Sequence, residues 1–153
     1  MNTLELRIPP AVVFIVAALL MGLVAWALPA WRFMVPGRLF LAVAVIVVGG
    51  MIGVAGLFAF QRAQTTVHPM KPGEATSLVS TGIYTRSRNP MYLGLLIGLL
   101  AWGVYLGHPV SLLVLPGFVL YMNRFQIIPE ERALTANFGT DYEAYYARVR
   151  RWI

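Results

Sequence analysis

The sequence contains no cysteine and only two histidines, His68 and His108. Disulfides, thiolate nucleophiles and cysteine-ligated metal sites are therefore excluded, and a multi-histidine metal centre is excluded with them. We predict that the protein holds no metal. Charge is scarce as well, since only 12% of the residues are charged, against about 25% in typical soluble domains.

Hydrophobic residues make up 59% of the chain. That share is too high for a soluble surface and indicates an integral membrane protein. The net charge is +6, which in a membrane protein more often reports topology and contact with anionic lipid headgroups than nucleic-acid binding. We therefore expect membrane lipids, and no nucleic acid, as partners.

Four apolar runs follow one another along the chain, and a membrane-spanning helix needs about 20 such residues. They predict an all-α polytopic membrane protein of one domain, residues 1–153, with spans at 11–30, 39–60, 91–106 and 110–128. The last two runs flank the turn Gly107-His108-Pro109 and form a helical hairpin. A cleaved signal peptide is the alternative for the first run, but Glu5 beside Arg7 and the later spans favour a retained helix.

Two pairs of glycines four residues apart, Gly49 with Gly53 and Gly94 with Gly98, lie inside the predicted spans. Such pairs let helix backbones approach closely, either within the chain or between two copies, so the oligomeric state stays open. A nucleotide-binding glycine loop is the alternative, but no predicted strand precedes these glycines.

Basic residues are distributed unequally over the two sides that four spans create. The N-terminus, the long loop 61–91 and the C-terminus share one side and carry most of them, whereas the other side carries Arg32 and Arg38. The positive-inside rule places the first side, with both termini, in the cytoplasm. We expect a bacterial or archaeal inner membrane.

A polar and basic stretch, residues 85–92, precedes the third apolar run. Pro90 lacks a backbone N–H and suits the first turn of a helix, and Asn89 stands at the N-cap position. The free N–H groups of that turn, with Arg86 and Arg88 beside them, indicate a site for an anionic or strongly polar group. The alternative is that both arginines are plain interfacial charges.

Glu130 and Glu131 follow the fourth run and open an amphipathic C-terminal helix. Its apolar face consists of residues at helical spacing: Leu134, Phe138, Tyr142, Tyr145 and Val149. Gly139 is a candidate break, and the tyrosines suit an aromatic belt at the membrane interface. Dipole stabilisation or pairing with arginines would explain the two carboxylates without a function. Beside the basic loop, they would instead suit a zwitterionic ligand.

Further motifs occur in order along the chain: Leu78-Val79-Ser80-Thr81-Gly82-Ile83-Tyr84, Arg88-Asn89-Pro90-Met91-Tyr92-Leu93-Gly94, Glu130-Glu131, Phe138-Gly139, Tyr142, Tyr145 and Arg148. Taken together, they resemble the isoprenylcysteine carboxyl methyltransferase family and the related phospholipid methyltransferases. The resemblance implies S-adenosylmethionine as the methyl donor. It also implies that the donor is bound without a Rossmann domain, by residues 67–92 and 124–151.

The resemblance further implies which residues bind the cofactor. The adenosyl side is expected from Thr76, Ser77, Leu78, Val79 and Tyr84. The opposite shoulder is expected from Asn89, Pro90, Met91 and Tyr92. Glu130 reaches the cofactor from the C-terminal helix, and His68 and Arg88 complete the set.

Two positions depart from the family pattern. Asn89 stands where the family often has histidine, and Gln126 stands where the prenylcysteine enzymes carry a substrate-binding arginine. Arg124 is the nearest arginine, so we expect Arg124, Gln126 and Glu131 as the catalytic, acceptor-side residues. The expected reaction is methyl transfer to a lipophilic small-molecule or lipidated acceptor, through a carboxylate, a thiol or an amine.

Two other functions are alternatives. A membrane reductase would bind NADPH with Arg86 and Arg88 on its 2′-phosphate. A non-enzymatic membrane scaffold would use the glycine faces for self-association and would bind no small ligand.

Overall fold

The computed structural model describes residues 5–63, 73 and 75–153. These residues form six α-helices: α1 Pro10–Ala27, α2 Arg38–Arg62, α3 Pro90–Leu106, α4 Val114–Met122, α5 Ile128–Phe138 and α6 Thr140–Arg148. Short 3₁₀ helices lie at Pro29–Trp31, Gly82–Thr85 and Pro109–Leu113, and a π-helical turn, Asn123–Ile127, joins α4 to α5. The described part of the chain contains no strand, which confirms the predicted all-α class.

Three helical stretches are long and apolar enough to cross a membrane: Pro10–Ala27, Arg38–Arg62 and Pro109–Phe138. Pro90–Leu106 is also apolar but has only 17 residues. The chain is therefore an integral membrane protein with three to four spans. The first helix ends earlier than predicted because Leu28 precedes Pro29, and the residue before a proline disfavours helical backbone.

The fourth predicted span, 110–128, is the first part of a helical stretch that continues for 30 residues, Pro109–Phe138. The amphipathic segment after Pro129 therefore continues this stretch without a loop. Gly139, at φ +50°, separates α5 from α6, as its place in the sequence indicated. The acidic residues are thus fixed to the end of a membrane helix.

Pro129 explains how the N-terminal segment docks on this stretch. A proline inside a helix offers no N–H to the carbonyl four residues earlier, which is that of Phe125. The Phe125 carbonyl accepts a hydrogen bond from the Leu6 N–H at 3.0 Å. In the preceding π-helical turn, the Ile128 N–H bonds the Asn123 carbonyl five residues back.

Glycines bring α3 against α2. A Cβ on Gly94 would lie 2.7 Å from the Gly49 carbonyl oxygen and 3.1 Å from the Gly53 nitrogen, so the two backbones are in direct contact. On the α1 side, a Cβ on Gly98 would lie 3.3 Å from the Phe14 ring. The predicted glycine faces therefore pack helices within the chain, with α3 between α1 and α2.

The end of the bundle opposite the acidic residues is closed by polar contacts around the hairpin turn. His108 is buried; its Nε2 lies 2.9 Å from the Leu28 carbonyl, and its Nδ1 accepts a hydrogen bond from the Ser111 N–H. The Phe33 N–H donates to the Gly107 carbonyl at 3.0 Å. The histidine thus caps the turn.

At the other end, the N-terminal segment, residues 82–89, the start of α5 and the C-terminus come together. Glu5 pairs with Arg124 at 2.8 Å and with Arg132 at 2.6 Å. The Trp152 Nε1 donates to the Asn123 Oδ1 at 3.0 Å. The described parts of the polar segments thus share one end, and which side of the membrane they face stays a prediction.

Candidate functional site

A cavity of about 100 Å³ lies at this end, where the end of α2, the polar loop, the start of α3 and the two C-terminal helices meet. It is lined by Phe60, Ala75, Ser77, Leu78, Val79, Tyr84, Arg88, Asn89, Met91, Tyr92, Glu130, Glu131, Leu134, Tyr142 and Tyr145. The basic loop and the acidic helix therefore enclose one pocket, whose lining combines charged, aromatic and aliphatic side chains.

Most of the residues expected at the site line this cavity: Ser77, Leu78, Val79, Tyr84, Arg88, Asn89, Met91, Tyr92, Glu130 and Glu131. Thr76 and Pro90 do not line it, although both are next to residues that do. Pro90 is buried at the start of α3, where its ring packs near Gly56. His68 lies outside the described residues.

The structure does not bring Arg124 and Gln126 into the cavity. The side chain of Arg124 is 46% exposed and pairs with Glu5. Gln126 is fully buried, and its Nε2 donates to the Ile8 carbonyl at 2.5 Å. Both side chains thus hold the N-terminal segment, and their expected contact with an acceptor has no support in this arrangement.

Tyrosines form one wall of the cavity. Tyr142 and Tyr145 are only 2% and 4% exposed, so the expected interface belt is wrong for both, whereas Tyr146 is 46% exposed. The Tyr145 hydroxyl donates to the Tyr84 carbonyl at 2.9 Å. Burial raises the pKa of the Tyr84, Tyr142 and Tyr145 hydroxyls above their ordinary value. The wall therefore stays uncharged at neutral pH.

Glu131 connects the polar loop to the C-terminus. Its carboxylate accepts hydrogen bonds from Arg88 at 2.8 Å and from Arg151 at 2.6 Å and 3.0 Å. The hydrogen bond to Glu131 raises the pKa of the Arg151 guanidinium. The Arg88 guanidinium lies 3.9 Å from the centre of the Tyr146 ring, within the range of a cation–π contact. The charge of Glu131 is thus compensated within the chain.

The C-terminal segment is also bound through backbone groups. The Arg88 N–H donates to the Arg150 carbonyl at 3.0 Å, and the Asn89 Nδ2 donates to the Arg151 carbonyl at 2.9 Å. Asn89 occupies the N-cap position of α3, as predicted, but its side chain makes no capping bond because it is directed to Arg151. The segment therefore fixes the loop beside the cavity.

Glu130 differs from its neighbour. Its Oε1 accepts a hydrogen bond from the Tyr92 hydroxyl. Among the described residues, no cation forms an ion pair with Glu130. A cavity-lining carboxylate without a cation partner is suited to bind a positively charged ligand.

Arg88 carries an unpaired donor among the described residues. Arg88 lines the cavity, and its Nε is buried without a hydrogen-bond partner among the described residues. Because a buried donor of this kind is costly to leave unpaired, it suits an incoming carboxylate oxygen. Among the described residues, the cavity lining thus includes one carboxylate without a cation partner and one arginine whose Nε–H is unpaired.

Five lining residues were not expected at the site: Phe60, Ala75, Leu134, Tyr142 and Tyr145. The helical spacing of Leu134, Tyr142 and Tyr145 was visible in the sequence, but it indicated only an apolar face. Phe60 lies at the end of α2, and its ring meets the Tyr84 ring edge to face at 5.5 Å between centroids. This contact depends on the fold of the loop and has no local sequence signal.

The helical bundle with a cavity at one end defines an integral membrane protein with a candidate functional site. A family model described as phospholipid methyltransferase matches residues 37–141. The chain belongs to the phospholipid methyltransferase family, a family of integral membrane methyltransferases. This confirms the resemblance to that family, whereas membership of the isoprenylcysteine branch stays a prediction.

An uncharacterized protein of Haemophilus influenzae is 46% identical over 63 residues, which is 41% of this chain and the whole length of that relative. No solved structure matches the chain. The family assignment therefore comes from sequence, and the cavity described above supplies the geometry.

Proposed function

We propose that this protein transfers the methyl group of S-adenosylmethionine to a lipophilic acceptor at the cytoplasmic face of a membrane. Glu130 carries the proposal, because its carboxylate lines the cavity beside tyrosines and has no cation partner among the described residues. A carboxylate between aromatic side chains is a suitable environment for a sulfonium ion. Membership of a methyltransferase family supplies the reaction class.

The remaining lining residues fit the other parts of the cofactor. The Arg88 Nε, which has no hydrogen-bond partner among the described residues, suits its carboxylate. Leu78, Val79 and Tyr84 give an apolar and aromatic wall for the adenine. Pockets for small molecules usually measure about 300–1,000 Å³. The cavity, at about 100 Å³, is therefore too small to hold the whole cofactor as it stands. We therefore expect lining side chains to move when the cofactor binds.

When bound, the cofactor supplies a methyl group on a positively charged sulfur. Glu130 would hold the sulfonium beside the tyrosines, and the acceptor nucleophile would take the methyl group as its bond to sulfur is lost, which would leave the sulfur neutral. Because the positive charge is lost during the reaction, Glu130 is expected to contribute binding and orientation. It is not expected to bind the transition state more strongly than the bound substrate. Rate enhancement is expected from alignment and exclusion of water by the tyrosine wall.

This role of Glu130 has a specific test. Titration calorimetry on the purified full chain should give saturable binding of S-adenosylmethionine and of S-adenosylhomocysteine, which lacks the positive charge on sulfur. Glu130→Gln should weaken binding of the charged ligand about tenfold or more, since a hydrogen bond to a charged group is worth about 1.5–3 kcal/mol. Binding of S-adenosylhomocysteine should change less.

Glu143→Gln is the matched control, because Glu143 is exposed on α6 and loses the same charge. It should leave both affinities unchanged. If Glu130→Gln weakens the binding of both ligands equally, a contact between Glu130 and the sulfonium is contradicted. If the folded protein binds neither ligand, the methyl-transfer proposal is contradicted.

The reductase alternative receives less support from the geometry. Arg86 is exposed and does not line the cavity, and the Nη2 of Arg88 is bound to Glu131. Titration of NADPH under the same conditions provides the comparison. Saturable NADPH binding without binding of S-adenosylhomocysteine would favour the reductase, and binding of neither ligand by the folded protein would favour the scaffold.

A further inference from the structure

We propose that a groove between α1, α2 and α3 holds the alkyl chain of the methyl acceptor, and that Met91 separates this groove from the cofactor cavity. The inference rests on the proposed function and extends it to the part of the substrate that lies in the bilayer. The groove measures about 290 Å³, and its lining includes Phe14, Ile46, Gly50, Gly53, Val54 and Met91. We call it the glycine groove.

The first argument is continuity between two spaces. Met91 lines both the candidate cofactor cavity and the glycine groove. Its side chain packs on α2 where Gly56 leaves room, since a Cβ at that glycine would lie 2.9 Å from the Met91 Cγ. Methionine is unbranched and flexible, so it can change conformation at this position without a backbone movement.

The second argument comes from the glycines of α2. Gly49 is required for packing, because a Cβ there would lie 2.9 Å from the side chain of Ile97 and 3.0 Å from the Gly94 carbonyl oxygen. Gly50 and Gly53 are different, since a Cβ on either would meet no atom of the described residues within 4 Å. A methyl side chain at either position would therefore not clash with another helix of the described chain. The space that these two glycines leave unfilled belongs to the groove.

The third argument is chemical. Apart from backbone groups, the groove presents hydrocarbon, a ring and a thioether, so a polar occupant would lose its hydration without gaining partners. Beyond Met91, the next residue is Tyr92, whose hydroxyl donates to Glu130 in the polar cavity. A molecule with an apolar chain and a polar head matches this sequence of environments. Its chain would lie along α2 and its nucleophile would enter the cavity.

Photolabelling tests the groove without knowledge of the acceptor. The full chain is reconstituted in phosphatidylcholine nanodiscs and exposed to two probes with the same mid-chain diazirine, palmitic acid and a lysophosphatidylethanolamine. Mass spectrometry then locates the label. We expect labelling at residues 46–54 and at Leu95, which also lines the groove. Gly50→Leu and Gly53→Leu should each reduce this labelling at least fivefold.

Gly117→Leu is the matched control. Gly117 also meets no atom within 4 Å of a built Cβ, but it lines a different groove, between α1 and α4. This variant should leave labelling of the glycine groove unchanged. Circular dichroism and a thermal melt of each variant establish that it is folded, so a lost label reports a filled groove.

Three results would overturn the inference. Labelling that Gly50→Leu and Gly53→Leu do not alter would show that the probe binds elsewhere. A dimer of the unmodified chain that dissociates with Gly53→Leu, and that is not labelled in the groove, would make this face a subunit interface. Loss of S-adenosylhomocysteine binding in Gly50→Leu would show that filling the groove also closes the cofactor cavity, which would contradict the separation of the two spaces by Met91.

Failure of the proposed function is distinguishable from these results. Cofactor titration needs no acceptor, and labelling needs no cofactor. An unmodified chain that labels in the groove but binds neither S-adenosylmethionine nor S-adenosylhomocysteine would refute methyl transfer and, with it, the assignment of the bound chain to an acceptor.

Discussion

The guanidinium of Arg88 lies 2.8 Å from the carboxylate of Glu131, and this ion pair joins the polar loop to α5. Glu131 also binds Arg151 at 2.6 Å, which ties in the C-terminus. Glu130, the preceding residue, faces the cavity with Tyr92 as its hydrogen-bond donor. Two adjacent carboxylates therefore have different tasks: one holds the site together and the other is available to a ligand.

Glu131→Gln should destabilise the protein, because Arg88 and Arg151 would lose the carboxylate with which both form ion pairs. The side chains of Arg88 and Glu131 are 8% and 13% exposed. Leaving a buried charge without its partner costs about 3 kcal/mol. Denaturant unfolding in detergent measures the change, and Glu143→Gln should stay within about 0.5 kcal/mol of the unmodified protein. Equal stability of the two variants would contradict a structural role for Glu131.

Gly94→Ala and Gly50→Ala should have opposite effects on thermal stability. A Cβ at position 94 would lie 2.7 Å from a backbone oxygen of α2, so the helices must separate, at a cost of about 1–3 kcal/mol. A Cβ at position 50 meets nothing within 4 Å. Alanine there should be neutral or stabilising by up to about 1 kcal/mol, because it favours helix over glycine.

A melt of both variants in the same detergent decides between these expectations. Equal destabilisation would mean that Gly50 also packs closely, against a second copy of the chain or against lipid. Unchanged stability in Gly94→Ala would mean that α2 and α3 are less tightly packed than their backbone distances indicate.

Most of the cavity lining was expected only from the resemblance to a known family. The apolar runs and the glycine pairs were sufficient to predict the helices. Their signals are local, since each depends on hydropathy or on residues a few positions apart. The amphipathic spacing after Pro129 also predicted a helix with one apolar face. It could not show that Tyr142 and Tyr145 turn inward, because that depends on contact with Tyr84, far away in sequence.

Gln126 shows a second limit of sequence reasoning. It was expected on the acceptor side only because the family resemblance places a substrate-binding arginine at its position. In the structure, Gln126 lies in the π-helical turn Asn123–Ile127. Gln126 contacts Ile8 instead. A single wider turn has no strong sequence signal, and its effect on side-chain direction appears only in three dimensions.

Glu5 should stabilise the protein in a pH-dependent way. Hydrogen bonds from Arg124 and Arg132 lower the pKa of the Glu5 carboxyl below its ordinary value of 4.5, with Arg124 the larger cause. A carboxyl whose pKa is lowered by folding stabilises the protein above its unfolded pKa, and this contribution is lost as the pH falls through the folded value. Glu5→Gln should therefore lower the melting temperature at pH 7 more than at pH 3.

The measurement is the difference in melting temperature between the unmodified chain and Glu5→Gln at the two pH values. Glu143→Gln controls for a general effect of lost negative charge. A difference that does not shrink at low pH would contradict stabilisation by the ionised carboxylate.

Tyr92→Phe should weaken binding of S-adenosylmethionine, because it removes the donor that orients the Glu130 carboxylate. We expect about a tenfold loss, as for other hydrogen bonds to charged groups. Tyr105→Phe, on the same helix and 42% exposed, should have no effect. If Tyr92 acts through Glu130, the double variant with Glu130→Gln should bind no more weakly than Glu130→Gln alone. Losses that add in full would instead assign Tyr92 a separate contact with the cofactor.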